Sequence, residues 1–163
     1  MRLLLLALLL ASAAVWTLPA AAAEAQALTE EQARAVIAPF YLALNAGNDP
    51  VALIDGATSP DWISCGGNDA CRRRDQVETT IAGVEKSVPD LKWEIKEVLV
   101  AGDRVIVRGE ASGTPVGTFL GMPPAGATFR VMSIDVHTID AGKITRSYHL
   151  EDWMGAVRQL SGH

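Results

Sequence analysis

The hydrophobic period of this chain changes near Pro89-Asp90. Upstream, Ala33, Val36, Ile37, Phe40, Tyr41 and Leu44 recur at helical spacing, and Val77, Ile81, Val84 and Val88 do so again. Downstream, Leu91 to Val100, Arg104 to Ala111 and Ala127 to Ile139 are β-branched runs parted by Ala101-Gly-Asp103 and Gly113-Thr-Pro115, as strands are. Helices followed by consecutive antiparallel strands predict an α+β domain in which the helices cover one face of a curved sheet and leave a cone between the two layers. A strand residue facing the space between the layers then lies in an apolar pocket suited to a small molecule.

Local signals place the elements. Thr29-Glu-Glu-Gln32 has the form of a capping box and opens a helix from about Thr29 to Ala46, which Asn45-Ala-Gly-Asn-Asp-Pro50 stops. Val51 to Asp55 adds one or two turns, and Asp61 to Cys65 reads as a short strand. A second helix runs from Arg74 to Val88. Asp140-Ala-Gly-Lys143 is a tight turn, so Phe129 to Ile139 and Ile144 to Leu150 form a hairpin. A last helix buries Trp153, Met154, Val157 and Leu160.

Met1-Arg2 followed by the apolar run Leu3 to Val15, then Pro19 and Ala21-Ala-Ala23, has the layout of a secretory signal peptide, with cleavage after Ala23 or Ala25. The run is shorter than the roughly 20 residues of a spanning helix. Residues 24–163 are therefore expected to be one exported domain, periplasmic or secreted, with no membrane partner after cleavage. The net charge of -5 and the lack of a basic stripe argue against nucleic acid. The one basic cluster, Arg72-Arg73-Arg74, runs straight into Asp75. In an exported protein Cys65 and Cys71, the only cysteines, read as one local disulfide across a turn-forming segment, and a metal site from two thiols is the weaker alternative.

The chemistry-bearing residues gather near the C-terminus. Asp152 stands where a strand gives way to a helix, a place that suits either a helix N-cap or an acid at the mouth of a pocket. His137 shares a strand face with Ser133 and Asp135, opposite the apolar Met132, Ile134 and Val136. Tyr148 has the parity of Asp152, which makes Tyr148 a pocket candidate and sets His149 and Glu151 on the other face. Phe40, Tyr41 and Trp62 are candidates for the wall where helix meets sheet. No Gly-Lys-Ser/Thr follows the glycines of Gly117 to Gly126, and no nucleophile elbow is present.

Five segments, taken in order, resemble the SnoaL-like polyketide cyclase, or ester cyclase, family of the nuclear transport factor 2-like superfamily. They are Phe40-Tyr-Leu-Ala-Leu-Asn-Ala-Gly-Asn-Asp, Pro89-Asp-Leu-Lys-Trp-Glu-Ile, Gly117-Thr-Phe-Leu-Gly-Met-Pro-Pro-Ala-Gly126, Gly142-Lys-Ile144, and Tyr148-His-Leu-Glu-Asp152 ending in Gln159-Leu160. The resemblance spans about Glu30 to Leu160. It implies the cone fold, often dimeric through the sheet, and ring closure by intramolecular aldol condensation without metal or organic cofactor. It also implies a catalytic role for Asp152 as acid/base, assisted by His137. Two features depart from the family: Gly113-Thr-Pro115 stands where members commonly carry Gly-Thr-His, and the characterised aromatic polyketide pathways are intracellular. The expectation is an acid–base enzyme for a small apolar carbonyl compound. Its alternatives are a non-catalytic binding module in the same fold and an epoxide hydrolase, which would need an aspartate-arginine-aspartate set.

Overall fold

The computed structural model describes residues 28–162; the signal-peptide segment and its candidate cleavage sites lie outside them. Thr29 caps helix α1 (Glu30–Ala43) by accepting a hydrogen bond from Gln32 N at 3.2 Å, while the Gln32 side chain accepts from Thr29 N at 2.9 Å. The helix stops short of Ala46 because Asn45 turns back on it. Its amide donates to the Tyr41 carbonyl at 2.9 Å, and its side-chain oxygen accepts from Trp93 N at 2.6 Å, fastening the helix end to the sheet. Asp49 caps α2 (Pro50–Ala57), with Pro50 at a position where a missing N–H costs nothing.

Strand β1 (Thr58–Cys65) leads through a tight turn to β2 (Cys71–Arg73), and the Cys65–Cys71 disulfide joins them. After α3 (Arg74–Ser87) come the long strands β3 (Lys92–Ala101), β4 (Arg104–Gly113), β5 (Phe129–Asp140) and β6 (Lys143–Glu151), then α4 (Trp153–Leu160). The six-stranded sheet has the order β2-β1-β6-β5-β4-β3. Its pairings are antiparallel except β1 with β6, which is parallel, so the sheet is mixed rather than wholly antiparallel. A parallel neighbour arises because the chain crosses from β1 through α3 and three further strands before β6 returns beside it. Register shifts between Ile95 and Glu97 and between Thr138 and Ile139 are the bulges that let the sheet curve. Among the described residues no helix is long and apolar enough to cross a membrane.

Two apolar clusters fill the cone. One joins Ile37, Phe40 and Ile54 of the helices to Trp62, Val105, Val107 and Ile144 of the sheet. The other gathers Val88, Leu91, Phe119, Phe129, Ala156 and Leu160. Trp93 packs against both and marks the seam where the cavity opens. The Gly117–Gly126 segment reaches this seam by a two-residue turn: Leu120 (φ 51°) and Gly121 (φ 76°) sit between the bridged Phe119 and Met122. Phe119 is thereby turned inward to stack on Phe129, with centroids 5.3 Å apart.

Gly109 shows how tightly the seam is built. A Cβ there would stand 2.6 Å from Ser133 Oγ and 3.0 Å from Trp93 Nε1, two atoms hydrogen-bonded to each other at 3.2 Å. Gly109→Ala is expected to split that bond and destabilise the protein by about 1–3 kcal/mol, as overpacking does. Urea denaturation measures the loss, and an unchanged midpoint would mean that the seam relaxes freely.

Candidate active site

Strands β5 and β6 lie antiparallel with Asp135 opposite His149 and Ser133 opposite Glu151. Because side chains alternate, Ser133, Asp135 and His137 of β5 and Ser147, His149 and Glu151 of β6 share the concave face. Met132, Ile134, Tyr148 and Leu150 point to the convex face and are exposed. The concave face forms the floor of a cavity of about 460 Å³, within the roughly 300–1,000 Å³ of ligand pockets. Phe40 of α1, Ile81 and Val84 of α3, Trp93, Phe119 and Trp153 form apolar walls, and Gly66, Ala70, Arg72 and Leu120 form an exposed rim.

Behind the floor runs a chain of hydrogen bonds whose direction its chemistry fixes. The Trp62 indole, which can only donate, gives its N–H to Ser147 Oγ at 3.0 Å. Ser147 Oγ lies 2.8 Å from His137 Nδ1, His137 Nε2 lies 3.1 Å from the Tyr41 hydroxyl, and that hydroxyl donates to Asp135 Oδ2 at 2.9 Å. Complete burial pushes the His137 pKa down to about 3, with His149 contributing a smaller repulsion, so the ring is neutral at ordinary pH. Tyr41 spends its proton on Asp135 and accepts from His137 Nε2–H, so Nδ1 accepts from Ser147. Burial first, then the charge of Asp135, raises the Tyr41 pKa far above its ordinary value and keeps the phenol a donor.

Asp135 is 4% exposed. Burial pushes its carboxyl up to about 6; the Tyr41 hydrogen bond opposes this, the Glu151 charge adds to it, and His149 and Ser133 pull it back. Both donors, Tyr41 and Ser133 (3.3 Å), address Oδ2, so Oδ1 has no hydrogen bond among the described residues and is left for the cavity. Across the strand pair, His149 Nδ1 lies 2.8 Å from Glu151 Oε1, and the Trp153 indole donates to Glu151 Oε2 at 3.0 Å. The bond to Glu151 raises the His149 pKa against the opposing effect of burial. His149 Nε2 remains open to the cavity, beside Gly66. The floor therefore pairs a carboxylate poised near neutrality with an imidazole whose charged form is stabilised, an arrangement suited to moving a proton and steadying an oxyanion.

The structure sorts the residues expected from sequence. Asp135 and Phe40 line the cavity. Asp152 does not: its exposed side chain caps α4, accepting from Gly155 N at 2.8 Å with Arg158 at 3.6 Å. His137, Tyr41 and Trp62 lie behind the floor as members of the hydrogen-bond chain. Tyr148 is 46% exposed on the convex face, the reverse of its expected placement, and His149 and Glu151, set aside as outer residues, line the cavity instead. The signal that could have found them is the β5–β6 register. Asp140 pairs with Lys143 and Ile139 with Ile144, which, unbroken, would set Asp135 opposite Tyr148. The shift at Thr138 inserts one residue into β6 and brings His149 there instead.

A sequence model of the SnoaL-like polyketide cyclase family matches residues 35–160. No curated protein matches the chain. Among solved structures, TsrD from Streptomyces laurentii is 26% identical over 83% of this chain and 99% of its own, with a TM-score of 0.73. IdmH from Streptomyces antibioticus, provisionally assigned as a polyketide cyclase, is 24% identical over 78% of this chain and 96% of its own, with a TM-score of 0.68. AclR from Streptomyces galilaeus, provisionally assigned as a hydroxylase, is 21% identical over 83% of this chain and 84% of its own, with a TM-score of 0.71.

Proposed function

The chain belongs to the SnoaL-like polyketide cyclase family, and on that premise we propose that it is an exported acid–base enzyme that closes a ring in a small, apolar carbonyl compound. Asp135 is the general base, and His149, held by Glu151, is its electrophilic partner. The observation that carries this reading is the division of labour within one carboxyl group. Oδ2 is tied by Tyr41 and Ser133, while Oδ1 is left for a substrate proton at the floor of an aromatic cavity.

The steps follow from those two groups. Asp135 Oδ1 takes a proton from the carbon next to a carbonyl. The electron pair moves onto the carbonyl oxygen, where His149 Nε2–H stabilises the enolate. The enolate carbon then attacks a second carbonyl of the same molecule, forming the C–C bond, and the resulting alkoxide recovers the proton from Asp135. These steps draw on no metal or organic cofactor. The aromatic walls exclude water and hold the chain folded on itself, converting a free encounter into a positioned one. AclR's provisional assignment shows that related folds are considered for other chemistry; here the aspartate–histidine pair favours proton transfer.

Export is supported by the leader-like residues 1–23 and by the disulfide, a bond that persists in oxidising compartments. A homodimer would use the convex face, where Met132, Ile134, Tyr148 and Leu150 stand exposed together.

The test is ring closure of an aryl-substituted acyclic diketone, followed by chromatographic separation of the cyclic hydroxyketone from the open chain. Cyclisation that Asp135→Asn leaves unchanged would remove Asp135 as the base, and no cyclisation by the unaltered protein would reduce the cavity to a binding site. Glu151 offers an independent check, because its charge raises both the Asp135 and His149 pKa values. Glu151→Gln is expected to shift both limbs of the pH profile of kcat/KM toward acid. A profile that stays in place would remove Glu151 from the pair.

A further inference from the structure

We infer that the rim of the cavity carries a carboxylate subsite formed by Arg72 and Ser64, so that the substrate is an aromatic or otherwise apolar diketo acid held by its carboxylate at the entrance. The inference rests on reading the cavity as a small-molecule site and names the class of molecule it takes. Ser64 and Arg72 are directly opposed in the antiparallel β1–β2 pair, and both line the cavity. Ser64 is 6% exposed, and its hydroxyl has no hydrogen-bond partner among the described residues. Its oxygen is not among the fully buried atoms that lack a partner, so it opens onto the cavity and is free to donate to a ligand there.

Arg72 differs from its two neighbours. Arg73 lies 3.5 Å from Asp75, and Arg74 lies 3.0 Å from Asp55, whereas Arg72 has no carboxylate within ion-pair distance among the described residues. The adjoining Cys65–Cys71 disulfide and the strand ladder fix its backbone, so part of the ordering needed for binding is already built in. A guanidinium fork and a hydroxyl match a carboxylate, whose two oxygens accept in one plane. A phosphate dianion fits less well, because one arginine would neutralise half its charge and Asp135 and Glu151 line the same cavity. From this anchor the apolar body runs along the wall formed by Phe119 and Trp153, whose rings meet edge to face with centroids 5.9 Å apart, toward Asp135, where the reacting carbon lies.

Naphthoate and naphthamide separate the two parts of the claim, since they share an aromatic body and differ in charge. Their binding is read from the fluorescence of Trp93 and Trp153, which line the cavity. Naphthoate is expected to bind about five- to tenfold more tightly at low ionic strength, a modest ratio because Arg72 is exposed. Arg72→Gln should erase the ratio while leaving naphthamide affinity unchanged, Ser64→Ala should lower it in part, and Arg73→Gln should leave it intact. Equal affinities in the unaltered protein, or a ratio that survives Arg72→Gln, overturn the subsite while the cavity itself stands. Failure of both probes to bind overturns the cavity reading and the subsite together.

Discussion

Asp135→Asn is expected to lower kcat/KM for ring closure by about 10²–10⁴-fold, the range that a positioned general base contributes. Asparagine keeps the shape and still accepts from Tyr41, so the loss isolates the missing basicity. The contrasting variant is Asp152→Ala. Asp152 caps α4 from outside the cavity, and its removal should cost about 1 kcal/mol of stability while leaving turnover nearly unchanged. The two variants therefore exchange signatures: one loses rate and keeps its fold, the other loses stability and keeps its rate. Single-turnover kinetics with urea denaturation reads both. A rate loss confined to Asp152→Ala would return the acid/base role to the helix cap.

The stability of Asp135→Asn is expected to respond to pH in a way that exposes His137. The folded-state pKa of Asp135 is raised from 3.8 to about 6, so the unaltered protein loses stability as pH rises through that window, on the order of 3 kcal/mol. His137 is lowered from 6.5 to about 3, so its contribution is present above pH 6.5 and is lost as pH falls toward 3, on the order of 5 kcal/mol. Between about pH 6 and 4 the two slopes have opposite signs and largely cancel. Removing the Asp135 charge removes one of them. Asp135→Asn should be more stable than the unaltered protein near neutrality, by less than 3 kcal/mol because the charge-assisted bond from Tyr41 weakens. Its stability should then decline steadily with acid where the unaltered protein holds level. Denaturation midpoints across this range decide the matter, and parallel curves for the two proteins would contradict the assignment of a charged, buried Asp135.

The buried carboxylate that costs stability is also the one on which the hydrogen-bond chain ends. Trp62, Ser147, His137 and Tyr41 occupy the interior between the concave face and α1 and end on one carboxylate oxygen. Spacing along the chain singles out three of these four without their purpose. It predicts that His137 touches substrate and that Tyr41 and Trp62 line the pocket, yet each stands one layer behind it. Spacing along a strand assigns a face, but not the depth at which a side chain ends. Depth depends on what packs from the opposite layer, and here α1 brings Tyr41 between His137 and Asp135.

Local chemistry along the chain set the layers. Its change of period set helices before strands, its caps and turns set their ends, and its spaced cysteines set the disulfide, because these features act over a few neighbouring residues. Its ordered motifs also pointed to the family whose sequence model matches residues 35–160. Tertiary structure decided which of two strand faces looks inward on β6. One residue inserted at the Thr138 bulge turned His149 and Glu151 to the cavity and Tyr148 to the surface, and it left Asp152 as a cap. A side chain's face alternates with every residue, so a single slip in pairing inverts the whole strand, and only the partner strand fixes where that slip occurs.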